Sequence, residues 1–386
     1  MTESIYSLVN TAKIIAGAGS IEKIGDTVNG FSVEKVLIIT DQGVWNAGLI
    51  QKPKAILEKA GIWVEVIDHT PPEPNVDQVN EIFREAQKSA CEMIIGIGGG
   101  SSMDVAKIVA IMLTNAPSLS EMLEGAKIER RGIPTLMIPT TAGTGAEVTP
   151  NAIFLVPEKE LKIGVVSEKM IPDCVILDPG LTVNLPGPIT ASTGMDALAH
   201  AIECYISKKA NPFSNTFALK AISLISRSIR TAYRNGQDIE ARHDMLLGAM
   251  LGGLCISTSS TVAVHALAYP LGGKYRIPHG LSNAILLPHV MCFNLDAAGE
   301  KFRDIAAAMG LEVEGLSVRK AAEKMIDNLH SLISDLNIRV DLKEKGISEN
   351  DIGSMAEAAL QVTRLLNNNP KAMNKDDIQH IYKALL

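Results

Sequence analysis

The stretch MIIGIGGGSSMDVAKIVAIML, residues 93–113, decides how this chain folds. Its opening, Met93–Ile97, is an apolar run of strand length, the pattern of a strand buried on both faces. From Asp104 to Leu113 the apolar residues fall at helical spacing. Between the two stand Gly98, Gly99 and Gly100, then Ser101 and Ser102. Glycines let a backbone approach a ligand closely, and the N-terminus of the helix offers a diphosphate free N–H groups and a positive dipole end. Ser101 and Ser102 suit either capping or phosphate contact, and Asp104 suits a cap. Ser101 stands where the GxGxxG fingerprint needs its third glycine, and the loop is not a Walker loop. A plain structural turn is the competing reading.

The same alternation extends on both sides. Val36–Thr40, Trp63–Ile67 and Thr135–Ile138 read as further strands, Lys54–Gly61 and Asp77–Ser89 as helices. This predicts an α/β dinucleotide-binding domain with a parallel sheet covered on both faces. Segments near Ile153 and over Ile163–Val166 are expected to add strands at its edge. A Pro/Gly-rich connector, Asp178–Pro188, follows. From Thr190 onward only helical periodicity remains: 191–206, 212–233, 238–257, 262–269, 281–293, then further C-terminal helices. A chain of 386 residues exceeds the usual single-core limit of about 250–300. Two domains are therefore expected, 1–185 binding a dinucleotide and 186–386 all-helical.

Composition excludes several classes. The net charge is −7 with Lys and Arg scattered, which argues against nucleic-acid and anionic-membrane partners. No basic segment followed by an apolar one opens the chain, so a cytoplasmic protein is expected. Five cysteines without a CxxC pair read as reduced thiols. Met245–Gly273 carries no Asp, Glu, Lys or Arg, but it is dense in Gly, Ser and Thr and contains Pro270. It reads as a helix buried in the helical domain rather than a membrane span.

Other residues point to ligands. The loop PTTAGTGAEVT, residues 139–149, follows the fourth strand and suits ligand binding at the sheet's C-terminal edge. Asp41 ends a strand, where it serves either as a ribose ligand that disfavours a 2′-phosphate or as a helix cap. In TASTGMDALAHAIE, residues 190–203, Asp196 and His200 lie four apart on one helical face. His265 and His279 follow in apolar surroundings, where an unpartnered imidazole is costly. One carboxylate and three imidazoles suit Fe²⁺, Zn²⁺ or Co²⁺. A simple Asp–His hydrogen bond fits the same spacing. The remaining histidines read as ordinary structural residues.

GGGSSMDVAK, PTTAGTGAEVT, TASTGMDALAHAIE, HALAYPLG and PHGLSNAILLPHV together resemble the iron-containing (group III) alcohol dehydrogenase family, in its order, from about residue 96 to 290. The resemblance implies a dehydroquinate synthase-like fold and a metal, Fe²⁺ or sometimes Zn²⁺, on Asp196, His200, His265 and His279. It implies NAD, its diphosphate at Gly98, Gly99, Gly100, Ser101 and Ser102. Thr140, Thr141 and Thr149 would line the nucleotide cleft, and Lys162 would reach the ribose or nicotinamide. Asp41, Asn75 and Leu181 match nucleotide-contact positions, with Asp41 favouring NAD over NADP. Many members carry a histidine where Tyr269 stands here, so Tyr269 is the candidate for its proton-relay role.

The expected activity is hydride transfer between a small primary alcohol or diol and NAD, by a homodimer or larger homo-oligomer. The alternative is a hydroxyacid dehydrogenase or hydroxyacid–oxoacid transhydrogenase, which needs a cation beside the metal. Lys274 and Arg276 are the candidates read from sequence. A lyase like dehydroquinate synthase would need a basic cluster that the ligand motifs lack.

Overall fold

Apolar runs become strands wherever turn residues bound them. The computed structural model describes residues 5–157 and 161–386. The first half runs β1 (Lys13–Ala16), α1 (Ile24–Asn29), β2 (Lys35–Ile39), α2 (Gln42–Asn46), α3 (Gln51–Lys59), β3 (Trp63–Ile67) and α4 (Val76–Ser89). It continues with β4 (Met93–Gly98), α5 (Gly100–Met112), α6 (Leu119–Leu123), β5 (Thr135–Pro139), β6 (Asn151–Val156), β7 (Leu161–Val166) and β8 (Cys174–Leu177). Six of these strands form one sheet in the order β1-β8-β5-β4-β2-β3, every pairing parallel.

Side chains alternate across this sheet, as pleating requires. Leu37, Ile39, Ile94 and Met137 join one buried cluster with α4 and α5. Val36, Ile38, Ile95 and Leu136 join another with Ile24, Val28 and Leu57. Both faces are covered, as the unbroken apolar strands predicted. The loops Gly98–Ser102 and Pro139–Thr149 leave the C-terminal ends of neighbouring strands, the usual place for a ligand in such sheets.

One expectation changes. β6 and β7 do not extend the sheet's edge; they pair with each other, antiparallel, with Asn151 opposite Val166. The short connection between them permits a hairpin, whereas parallel pairing needs a crossover of a dozen or more residues.

The second half is helical: α7 (Gly187–Ile206), α8 (Pro212–Arg234), α9 (Ile239–Thr258), α10 (Ala263–Gly273), α11 (His279–Ala308), α12 (Val318–Asp335), α13 (Ile352–Leu360), α14 (Thr363–Leu366) and α15 (Lys375–Lys383). α7 packs on α8 and α11, and α10 packs on α11, α13 and α14. Among the described residues no single helix is long and apolar enough to cross a membrane, and α9 and α10 meet at 105°.

The chain divides into two compact units. One is Val9–Leu185 with Gly236–Leu246; the other is Pro186–Asn235 with Leu247–Leu386 and the described residues before Val9. The sequence placed Gly236–Leu246 in the helical half. It groups with the sheet because buried Arg242 donates hydrogen bonds to the carbonyls of Gly236 and Leu185.

Candidate metal centre and nucleotide cradle

Three helices of the second unit bring the expected ligands together. On α7, Asp196, His200 and Glu203 share one face, at i, i+4 and i+7. His265 and Tyr269 repeat the i, i+4 spacing on α10, and His279 and Asn283 on α11. His279 is the first residue of α11 rather than part of a turn ahead of it. A Cβ on Gly280 would lie 2.3 Å from the Ser192 carbonyl oxygen, so only glycine lets the start of α11 sit against α7.

The four side chains converge on one oxygen. Asp196 Oδ1 is 3.9 Å from His200 Nε2, 3.7 Å from His265 Nε2 and 3.8 Å from His279 Nε2. The His200 and His265 rings stack with centroids 4.6 Å apart. Asp196, His200 and His265 are buried and His279 is half-buried. The donor atoms of Asp196, His265 and His279 all lie within 4.8 Å of one another, and with His200 on the same carboxylate oxygen they make a donor set that fits Fe²⁺ or Zn²⁺.

Two further residues hold the set in shape. Glu203, fully buried, accepts the Val264 N–H at 2.6 Å and faces His265 Nδ1. That contact keeps the ring proton on Nδ1 and leaves the Nε2 lone pair aimed at the cluster. Asn283 Nδ2 donates to Asp196 Oδ1 at 2.6 Å and lies 3.2 Å from Nε2 of both His265 and His279. The Asn283 Oδ1 atom is buried without a hydrogen-bond partner among the described residues.

Charge follows the geometry. Burial alone would raise the Asp196 carboxyl; His200, His279 and His265, with the Asn283 amide, overcome it and hold the group at about 2. At His265, burial opposes protonation, but the Glu203 and Asp196 carboxylates keep the ring above its ordinary value. The Tyr269 phenol is raised, chiefly by burial, against the opposing influence of the Arg364 charge. Its ring lies 6.3 Å from that of His279.

Glu203 and Asn283 were missed in the sequence. Glu203 had a signal, a carboxylate in helical register with His200 inside an apolar segment; Asn283 follows His279 by one turn. Glu203→Gln is expected to weaken metal retention by about 10–100-fold while the protein stays folded. Competition against a chelator measures this, and wild-type affinity in that variant would remove Glu203 from the site.

In the first unit, Gly98 (φ 156°), Gly99 and Gly100 bend into the N-terminus of α5. A Cβ on Gly98 would come within 2.6 Å of Ser102 Oγ, and one on Gly100 within 2.7 Å of the Thr144 methyl. Such a backbone concavity, beside a helix N-terminus, fits a diphosphate. Ser102 donates to Asp41 Oδ2 at 3.0 Å, and Asp41 also caps α2 through Val44 N–H. Ser101 accepts the Glu73 N–H at 3.2 Å. Lys162 pairs with Glu73 at 2.6 Å, Asn75 forms a capping box with Gln78, and Leu181 packs partly buried against the core.

Thr140 and Thr149 are buried, and Thr141 is half-buried. Thr149 receives a hydrogen bond from Lys107 at 3.3 Å. Asp104 is no cap: α5 is capped at Gly99 without a side-chain bond, while Asp104 pairs with Lys107 at 2.9 Å and accepts the Ile153 N–H. Of the two cations read from sequence, Lys274 is engaged with Asp351 at 3.5 Å, and Arg276 sits exposed on a turn at φ 54°.

Comparison with known proteins agrees with this geometry. Residues 11–179 match the model of iron-containing alcohol dehydrogenases, and residues 190–386 match that of the family's C-terminal part. The chain is 37% identical to long-chain-alcohol dehydrogenase 1 of Geobacillus thermodenitrificans, over 95% of this chain and 93% of that one. It is 34% identical to the NAD-dependent methanol dehydrogenase of Bacillus methanolicus, over 96% and 97% of the two chains. The solved structure of a 1,3-propanediol oxidoreductase superposes with a TM-score of 0.95 at 35% identity, over 99% of this chain and 100% of that one. The chain belongs to the iron-containing alcohol dehydrogenase family, oxidoreductases acting on alcohols.

Proposed function

We propose that the protein interconverts a small alcohol or diol and its carbonyl compound, using NAD and a divalent metal held by Asp196, His200, His265 and His279. Fe²⁺ is the expected ion, with Zn²⁺ accepted by the same donors. What carries this reading is the meeting of three imidazole Nε2 atoms within 3.7–3.9 Å of one buried carboxylate oxygen. NAD is supported by the glycine cradle before α5, by Asp41 beside it and by the NAD-dependent relative.

A metal in this donor set supplies Lewis acidity to the alcohol oxygen, which favours loss of hydride from the adjacent carbon to the nicotinamide. The chain's own residues prepare that chemistry. Glu203 fixes the His265 tautomer, Asn283 orients the Asp196 carboxylate, and Asp196 and Glu203 together balance a divalent charge. Tyr269, with its phenol held protonated at neutral pH, is placed in the relay role for the alcohol proton. The unpaired cysteines fit a reducing, cytoplasmic setting, and a homodimer or larger homo-oligomer is proposed from family membership.

The test is NADH formation from short alcohols and diols, followed by absorbance after EDTA treatment and anaerobic loading. Turnover is expected only after Fe²⁺ or Zn²⁺ is restored. Equal turnover by the stripped protein would overturn the metal assignment.

A further inference from the structure

We infer that Glu73 is a positioning residue for the dinucleotide: its left-handed backbone aims its N–H at Ser101 while its carboxylate holds Lys162, and both are thereby set toward the cofactor. The inference rests on the NAD reading above and deepens it.

Glu73 lies in the segment TPPEPN, residues 70–75. A residue before a proline is pushed toward extended backbone, yet Glu73, just before Pro74, has φ 51°. That region is unfavourable for any residue with a β carbon, and asparagine or glycine suits it better. The conformation is imposed from both sides. Thr70 N–H donates to the Thr40 carbonyl at 3.1 Å, and Leu155 N–H to the Pro74 carbonyl at 3.0 Å. Asn75 pairs with Leu155 in a single parallel bridge and caps α4. Strain held this firmly clusters at ligand sites.

Two contacts show what the strain achieves. The Glu73 N–H reaches Ser101 Oγ at 3.2 Å, inside the glycine cradle. Ser101 accepts there and keeps its own hydroxyl proton to give, whereas Ser102 gives its proton to Asp41 at 3.0 Å. A phosphate oxygen only accepts, so Ser101 is the serine poised to donate to a diphosphate. The Glu73 carboxylate meets Lys162 Nζ at 2.6 Å, and the lysine side chain is only 9% exposed. Lys162 stands on β7 opposite Leu155, the residue that bonds Pro74. Glu73 takes one of the three ammonium donors and fixes where the other two start. If the position served the backbone alone, a glutamate would be a poor choice for it.

The experiment uses the full-length, metal-loaded enzyme, with NADH titration by fluorescence, steady-state kinetics on its best alcohol, and Tm without nucleotide. Glu73→Gly suits the left-handed backbone and keeps the N–H on Ser101, so its Tm is expected to be no lower than that of wild type. Its affinity for NADH is expected to fall about tenfold, as loss of a charge-assisted contact allows, with KM for NAD rising in step and kcat not falling. Glu73→Gln, which still accepts from Lys162, is expected to retain part of the affinity. Glu73→Val, whose β-branched side chain resists positive φ, should swing the N–H off Ser101 and bind NADH more weakly than Glu73→Gly. Adding Lys162→Met to Glu73→Gly should cost little more, because the two residues act as one unit.

Glu73→Gly that binds NADH like wild type would overturn the inference. So would a fall in Tm accompanied by equal losses in kcat and NADH affinity, the mark of a purely structural residue, or losses that simply add in the double variant. Wild type that binds no NADH would defeat the NAD reading beneath it.

Discussion

Asp196→Ala is expected to leave the protein without retained metal and to lower NAD-linked turnover by about 10³-fold or more. The size follows from the several kcal/mol that Lewis-acid stabilisation supplies, at about 1.4 kcal/mol per factor of ten. Among the described residues Asp196 is the only carboxylate whose oxygen lies within 4 Å of all three histidines. Without it, three imidazoles and the Asn283 amide surround a space with no negative charge facing the ion. Metal content after desalting, with kcat/KM on the best alcohol, checks the result. NADH binding should survive, because the cradle at Gly98–Ser102 belongs to the other unit. A variant that keeps both metal and turnover would show that the convergence of these side chains has another purpose.

The second large effect is expected at Lys107, inside the sheet-bearing unit. Its side chain is fully buried and pairs with Asp104 at 2.9 Å. The ammonium also donates to the carbonyls of Ala146 and Asn151 and to Thr149 Oγ1. One cation thus joins α5, the end of the PTTAGTGAEVT loop and the start of β6. Lys107→Met fills the volume but leaves Asp104 charged, buried and unpaired, which costs about 3–5 kcal/mol.

The same change acts on Glu147. Burial already holds that carboxyl at about 7, against its own backbone hydrogen bond and the charge of Lys107. Removing Lys107 leaves the acid more protonated still. Urea denaturation should show the loss of stability, and NADH titration a weaker affinity, since the loop carrying Thr140, Thr141 and Thr149 loses its anchor. Adding Asp104→Asn to Lys107→Met should recover part of the stability, because the stranded charge is gone while the residue can still accept from Ile153. A single variant that unfolds like wild type would remove Lys107 from this role.

Most of the fold was legible because the central strands are apolar on both faces, as at Met93–Gly98. β1 and β8 were not, being four-residue segments, KIIA and CVIL, too short to show a period. The convergence of the candidate ligands was legible through the i, i+4 step from Asp196 to His200 and through histidines in an uncharged segment. Asn283 stands one turn after His279, but an asparagine in a helix has many ordinary reasons to be there. The packing of α14 on α10 could not be read either, because a four-residue helix is too short to show a period.

The anchoring of the ligands has a consequence for how the enzyme is supplied in a cell. His265 is held by Glu203, Asp196 by Asn283, and α11 is pressed on α7 at Gly280. These are contacts of polypeptide with polypeptide, unlike small zinc domains in which the ion itself drives folding. On the proposed metal assignment, folding would not wait for the ion, so synthesis and loading would be separable in time. Polypeptide made while the ion is scarce would then stand as an idle reserve that later supply switches on without new synthesis.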